Sequence, residues 1–389
     1  MSVNDEQSNP ASAAPAAATN DATAPSTSDE PKFRYVHSRG LPDLLRDLGV
    51  SLLATTYQAG KLLAFSSNEG RLSLLMRSFP HPMGIAVRPD RMALGCQYDV
   101  WFLRNHPELV DRSGERVGYD SFFVPRRSHV LGDIALHEIA WGAPSDARPD
   151  EPELWIVNTR FSCLCTLNDE HSFVPRWRPP WITEIAAEDR CHLNGVAMDD
   201  GRPRYVTVLA RTNAAQAWRD EKRSGGAIVD LASGDDVVGG LCMPHSPRLY
   251  RDRLWALNSG AGELVTIDRE RGVVDSVVAR FPGFARGLAF VDRFAFVGLS
   301  QARETAVFGE LPILEEGLEL RCGVEIVDIE SGEQVGRITF EKGCRELFDV
   351  QIAPLPGRFG VVGFQKKDVN HIFVLPRPKD ADDASSGRG

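Results

Sequence analysis

The chain has 389 residues, 42% of them hydrophobic, which is enough to enclose a sizeable core, and a formal net charge of −10 at pH 7. That charge repels nucleic acid and anionic membrane surfaces, and no basic run offsets it, so neither is an expected partner. No apolar run approaches the length of a membrane span.

Residues 1–31 hold eight alanines among Ser, Thr, Asn and Pro, with almost no large apolar side chain to offset the entropy of ordering. A disordered leader is expected there. It lacks the apolar stretch of a signal peptide and is acidic rather than Arg-rich, so the expected location is cytoplasmic. Residues 377–389 are too polar to pack and read as a disordered tail, which leaves 32–376 as a single domain. Cys96, Cys163, Cys165, Cys191, Cys242, Cys322 and Cys344 form an odd-numbered set that reads as reduced thiols. "CLC" at 163–165 lies in a strand-like run, which argues against a zinc knuckle.

Within the domain, "KFRYVH" (32–37) reads as a strand able to complete the last repeat, and "LPDLLRDLG" (41–49) as a short amphipathic helix. Hairpins then follow one another: "LLATTYQAGKLLAF", "MALGCQYDVWFL", "LWIVNTRFSCLCTL", "RYVTVLAR" with "GGAIVDL", "LWALNSGAGELVTI", "FAFVGLSQ" with "GVEIVDI", and "GVVGFQKKDVNHIFVL". Each apolar pair is joined by a polar tip, and shorter runs such as "MGIAV", "HEIAW", "NGVAM", "RGLAF" and "FDVQIA" supply first strands. From Gly84 to Gly287 the landmark of these first strands returns at intervals of 39 to 57 residues, the length of a four-stranded blade. The expected fold is an all-β propeller of seven blades by the hairpin count, with six as the alternative.

In a propeller the starts of the inner strands and the tips of the next hairpins share one face. The tips offer Tyr57, Lys61, Arg160, Asn258 and Gln301 as substrate-binding candidates, with Arg303, Glu304, Gln365 and Lys366 beside them. His81, His137, His192 and His245 fall two or four residues before the same apolar landmark in successive repeats, so they are expected to converge on the channel mouth. Imidazole is a common ligand for transition metals, so a centre of iron, zinc, copper or manganese held by these four is one reading. A lone histidine is ordinarily a structural residue bonded to a nearby carbonyl, and that is the other. Glu138, Arg248 and Arg286 are the catalytic candidates: the carboxylate to orient or to exchange a proton, the guanidiniums to hold a carboxylated substrate. Segments 122–133, 173–191 and 210–226 interrupt the repeat and read as walls or lids.

"TYQAGKL", "PMGIAV", "NTRFSCLCTL", "FVPRWRPPWI", "EDRCHLNGVAM", "MPHSPRLY", "GLSQARET" and "CGVEIVDI" together resemble a family of uncharacterised bacterial proteins, sometimes fused to tetratricopeptide repeats. The resemblance covers about residues 35–375 and implies the fold, and a tetratricopeptide-repeat protein as a partner, but no activity. "LNGVAMDDGRPRYVTVL" is also similar to the senescence-marker/gluconolactonase type of calcium-dependent lactonase, which would make Asn194 a ligand on the axis and a substrate-binding residue. The axial glutamate and second asparagine of that type are missing here. Carotenoid-cleaving oxygenases are similar only in holding iron with four histidines on a propeller axis.

Three functions follow. The first is a metal-dependent enzyme acting on a small polar or carboxylated molecule. The second is a non-catalytic propeller that binds a peptide or protein on the same face, and the third a lactonase-like hydrolase.

Overall fold

The computed structural model describes residues 33–112, 118–146, 148–301, 309–315, 317–364 and 368–376. The expected leader and tail, and the tip residues Arg303, Glu304, Gln365 and Lys366, lie outside them. The described strands form six sheets of four or five strands each. Their innermost strands are Asp349–Ala353, Ile85–Val87, Leu136–Ser145, Gly195–Asp199, Pro244–Tyr250 and Phe284–Val291. Each packs against the next in that order, and the last returns to the first. The result is a β-propeller with six blades among the described residues, the smaller of the two counts the hairpins allow.

The seventh hairpin of the sequence reading is divided between other blades. "FDVQIA" becomes the innermost strand of the first blade, pairing antiparallel with Ser51–Thr56, the element for which the N-terminal hairpin lacked a partner. The residues after it add Phe359–Val361 to the second blade, parallel to Ser121–Val130, and then a 3₁₀ turn at Asp368–His371. Segment 122–133, expected to be an insertion, is thus mostly that outer strand. Arg34–His37 joins the sixth blade as a fifth strand on the edge of Gln334–Lys342. The amphipathic reading of "LPDLLRDLG" holds: Leu41–Asp47 is helical, and Leu41 and Leu45 are buried against the first and sixth blades.

Period-two alternation places the core between blades. Neighbouring residues on one strand face opposite neighbours: Ala93 packs toward Ile156 and Leu94 toward Leu62, Ile156 toward the second blade and Val157 toward Val206. Ile228 with Val265, Leu257 with Val297, and Phe296 with Phe65 fill the other three interfaces. Both faces of every blade are therefore buried, and this is why the strands read as nearly unbroken apolar runs. Each such side chain contributes about 1.5–3 kcal/mol on burial. All seven cysteines are buried free thiols in these layers. Among the described residues no helix is long and apolar enough to cross a membrane.

Near the axis the inner strands approach so closely that side chains are excluded. A Cβ on Gly84 would lie 2.5 Å from the His137 carbonyl oxygen, and one on Gly195 2.4 Å from Pro247 Cδ. The recurrent glycine is the mark of that approach.

Candidate functional site at the channel mouth

Four inner strands begin in the same way. His81, Ala135, His192 and Met243 all lie in the left-handed region, with φ of 46°, 48°, 49° and 48°. Two residues later come Met83, His137, Asn194 and His245, which therefore occupy one station in four successive blades. Phe348 and Ala285 take that station in the first and sixth blades, by their pairing with the neighbouring strands. The sequence reading aligned His245 with His192; it belongs with His137. The slip arises at an irregularity in the pairing between His245 and Arg248, where Ser246 has φ of 50°.

The next residue in each blade is mostly a brace. Asp349 Oδ2 accepts the Ile85 N–H at 2.8 Å and Glu138 Oε2 the Val196 N–H at 2.9 Å, while the Ser246 hydroxyl oxygen accepts the Gly287 N–H at 3.3 Å. Each hook ties one blade to its successor, and Gly84 and Gly195 occupy the same station in the blades between. Arg248 completes the brace. Its guanidinium holds Glu138 through two bonds of 3.0 and 3.1 Å and donates to the Leu288 carbonyl at 2.9 Å. Glu138 and Arg248, expected to be catalytic, are thereby fully engaged with each other and with backbone.

At the sixth blade the brace station carries Arg286, and it behaves differently. Its guanidinium lies 3.7 Å over the Phe348 ring, while its Nη2 is buried and has no hydrogen-bond partner among the described residues. Burial lowers its pKa to about 10, against the opposing pull of Glu346, Asp349 and Glu138. A buried cation with an unsatisfied donor is expensive to maintain.

His137 and His245 feel this cation, and His192 adjoins His137. The His137 ring centroid is 4.9 Å from that of His192, 6.4 Å from that of His245 and 5.4 Å from that of Phe348. His137 Nδ1 lies 3.0 Å from the Ala135 carbonyl and 2.7 Å from Thr159 Oγ1, whose own hydrogen goes to the Leu193 carbonyl. Both neighbours can only accept, so Nδ1 carries the hydrogen and Nε2 the lone pair. His245 repeats this with the Met243 carbonyl at 2.9 Å, and His192 donates to the Asp189 carboxylate at 2.9 Å. Burial first, and then the field of Arg286, holds His137 and His245 well below the ordinary histidine value. They are neutral at pH 7.

Asp189, Trp218, Phe348 and Phe284 escaped the sequence reading. Asp189 orients His192 and also accepts from the Trp218 indole at 3.0 Å, and Trp218, carried by the 210–226 segment, lies tilted against His192 with ring centroids 4.3 Å apart. Phe284 packs edge-on to His245 at 5.6 Å. The acid three residues before His192 in "EDRCH" was the available signal.

Other expected residues fall elsewhere. His81 bonds the Tyr57 carbonyl at 3.1 Å and lies tilted against the Tyr57 ring, which also meets Phe348, so of these two it is Tyr57 that borders the mouth. Lys61 turns to the Ser78 hydroxyl, Arg160 pairs with Asp133, and Asn258 bridges the Cys242 N–H and Glu263. Gln301 is half-buried and donates its backbone N–H to the Arg345 carbonyl. Asn194 is buried with its carbonyl oxygen already accepting the Thr207 hydroxyl at 2.6 Å, while its Nδ2 has no partner. Among the described residues no three His, Cys, Asp or Glu side chains are grouped so as to hold a metal ion. The anticipated iron, zinc, copper or manganese therefore finds no ready ligand set at His81, His137, His192 and His245.

Two adjoining cavities, about 560 and 210 Å³, lie between the second and third blades and share Phe102, Arg127, Trp141 and Glu151. Trp141 is four residues beyond His137 on one strand, about 13 Å away at the usual rise. Arginines there are already paired: Arg104 with Glu151, Arg148 with Asp169 and Arg176 with Glu153. The mouth, with its unpaired donors and lone pairs, is the better chemical candidate.

Fold and mouth together define a β-propeller with a buried cation and neutral imidazoles at one end of its channel. The chain belongs to the family described as a domain of unknown function, DUF4915, whose model matches residues 39–358. Among curated proteins no match was found. A protein of unknown function from Bacteroides caccae is similar in structure at 10% identity and a TM-score of 0.46, over 78% of this chain and 98% of its own. A chain of the nidogen/laminin complex is similar at 9% identity and a TM-score of 0.44, again over 78% and 98%. A catalytically inactive variant of virginiamycin B lyase from Staphylococcus aureus, solved with quinupristin, is similar at 10% identity and a TM-score of 0.38, over 79% and 99%.

Proposed function

We propose that the channel mouth binds a small carboxylated molecule and moves a proton on it. The observation that carries this reading is Arg286. At the brace station, Asp349, Glu138 and Ser246 hook a backbone N–H of the following blade, and Gly84 and Gly195 let the blades close; the sixth residue is a buried guanidinium whose Nη2 has no partner. A carboxylate would satisfy it in charge and in geometry. Glu138 is committed to Arg248, and among the described residues no side chain hydrogen-bonds Nη2, which leaves that donor to a ligand's carboxylate.

His192 is the proton acceptor in this reading. Asp189 fixes its tautomer with Nε2 free and stabilises the imidazolium formed when a proton is taken, as an orienting carboxylate does for a catalytic base. Neutral His137 and His245 line the same space as acceptors, and Trp218 and Phe348 limit water. The chemistry uses only groups the chain carries.

The test has two arms. A panel of small carboxylates should raise the melting temperature of the native protein and leave Arg286→Gln unchanged; an equal response in both would end the reading. With the binding carboxylate in deuterated water, NMR should show exchange of a carbon-bound hydrogen that is lost in His192→Gln. Exchange that persists in that variant would remove the role given to His192.

A further inference from the structure

The donors and acceptors left over at the mouth specify more than a carboxylate. Arg286 Nη2 and Asn194 Nδ2 are buried donors without partners, and Asn194 shares the station of His137 and His245 in the blade between theirs. The imidazoles of His137 and His245 have Nδ1–H committed to the Ala135 and Met243 carbonyls, so each retains an Nε2 lone pair that can only accept. A bare carboxylate answers the donors and leaves both lone pairs unmet. Polar groups that a ligand cuts off from water without replacing its hydrogen bonds penalise binding, so the preferred ligand should supply a donor as well.

We propose that the mouth takes a hydroxycarboxylate, its carboxylate on Arg286 and its hydroxyl between the amide of Asn194 and an imidazole Nε2 of His137 or His245. This rests on the reading of the mouth as a carboxylate site and narrows it. A hydroxyl gives its hydrogen to the imidazole and accepts from Asn194 Nδ2 through the same oxygen, matching one leftover acceptor and one leftover donor. An ammonium in its place offers hydrogens but accepts nothing from Asn194. It would also place a second positive charge beside the Arg286 guanidinium. Amino acids are therefore disfavoured relative to hydroxy acids of the same skeleton.

The probes are lactate, 3-hydroxypropionate, alanine and propionate, three-carbon carboxylates that differ in the substituent, titrated into the full-length protein and followed by ligand-observed NMR. One of the two hydroxy acids should bind at least tenfold more tightly than propionate and than alanine. Its advantage over propionate should fall by about tenfold in Asn194→Leu, while propionate itself is little changed. His245→Phe, which keeps a flat ring against Phe284, provides the same comparison should Asn194→Leu fail to fold. All four should lose affinity in Arg286→Gln. Equal binding of propionate and the hydroxy acids, still dependent on Arg286, would overturn the hydroxycarboxylate and leave the carboxylate site standing. Preferential binding of alanine would do the same. Binding that is indifferent to Arg286, or no binding by any of the four, would overturn the inference, and indifference to Arg286 would take the broader reading with it.

Discussion

Single residues at the mouth trade stability for chemistry, and the trade is measurable. Arg286 leaves a buried donor unpartnered, so Arg286→Met, which keeps the length over Phe348 and removes the charge, should raise the unfolding free energy by about 1–3 kcal/mol in the absence of ligand. Denaturant titration would show it, and a loss of stability would mean the guanidinium is satisfied in the folded state. Three buried groups also set pH dependences of opposite sign. His137 and His245 are held well below 6.5 by burial and then by Arg286, whereas in the unfolded chain they take up protons as pH falls through 6.5. Their contribution to stability is thus complete above pH 6.5 and is lost as pH falls below it. Asp349 has the other sign: burial, with Glu138, raises it from 3.8 to about 7 against the pull of Arg248. Its contribution is present below pH 3.8 and lost as pH rises through about 7. Stability profiles from pH 4 to 8 should therefore lose part of their acid-side fall in His137→Gln and part of their opposing slope in Asp349→Asn. Unchanged profiles would show that neither group titrates differently on folding.

At the scale of the element, the inner strand is defined by how closely it approaches its neighbour. Gly195→Ala would place a Cβ 2.4 Å from Pro247 Cδ and 2.5 Å from Thr207 Oγ1, forcing the fourth and fifth blades apart, and should destabilise by about 1–3 kcal/mol. Gly40→Ala is the contrast: nothing lies within 4 Å of a Cβ there and φ is −77°, so it should be neutral or stabilise by about 0.4–1 kcal/mol. Equal melting temperatures for the two variants would contradict the packing account. These same strands show what the sequence could and could not reveal. Their glycine-marked starts, the histidines gathered at them and the helix at Leu41–Asp47 are local patterns, and all three were readable. The alignment of His245 was not, because the irregularity beside it shifts the strand without changing the apolar pattern. Nor could spacing show that Arg248 would be held by Glu138 while Arg286 would be left without a partner, since the two look alike in sequence and differ only in what neighbouring blades present to them.

For the whole molecule, the decisive feature is where the ring closes. The first blade draws its inner strand, Asp349–Ala353, from near the C-terminus and its other three from Ser51–Thr56, Lys61–Asn68 and Arg71–Ser78. A hairpin count cannot see this, because the strand and its partners are separated by nearly the length of the domain, and it therefore yields seven units where the described strands form six sheets. The arrangement makes the two ends of the domain depend on each other. Removing residues 346–389 would strip the first blade of Asp349–Ala353, and with it Phe348 under Arg286 and the Asp349 hook on Ile85. It would also expose the apolar edges of the first, second and sixth blades around Phe65, Phe296 and Ile85. The full chain should accordingly unfold in one cooperative transition, and the truncated chain should show no such transition at 25 °C and should aggregate through its opened strand edges. Calorimetry of both proteins is the measurement. A truncated chain that still melts cooperatively, with only a lower midpoint, would show that five blades hold together without closure, and the ring would no longer account for the stability of the fold.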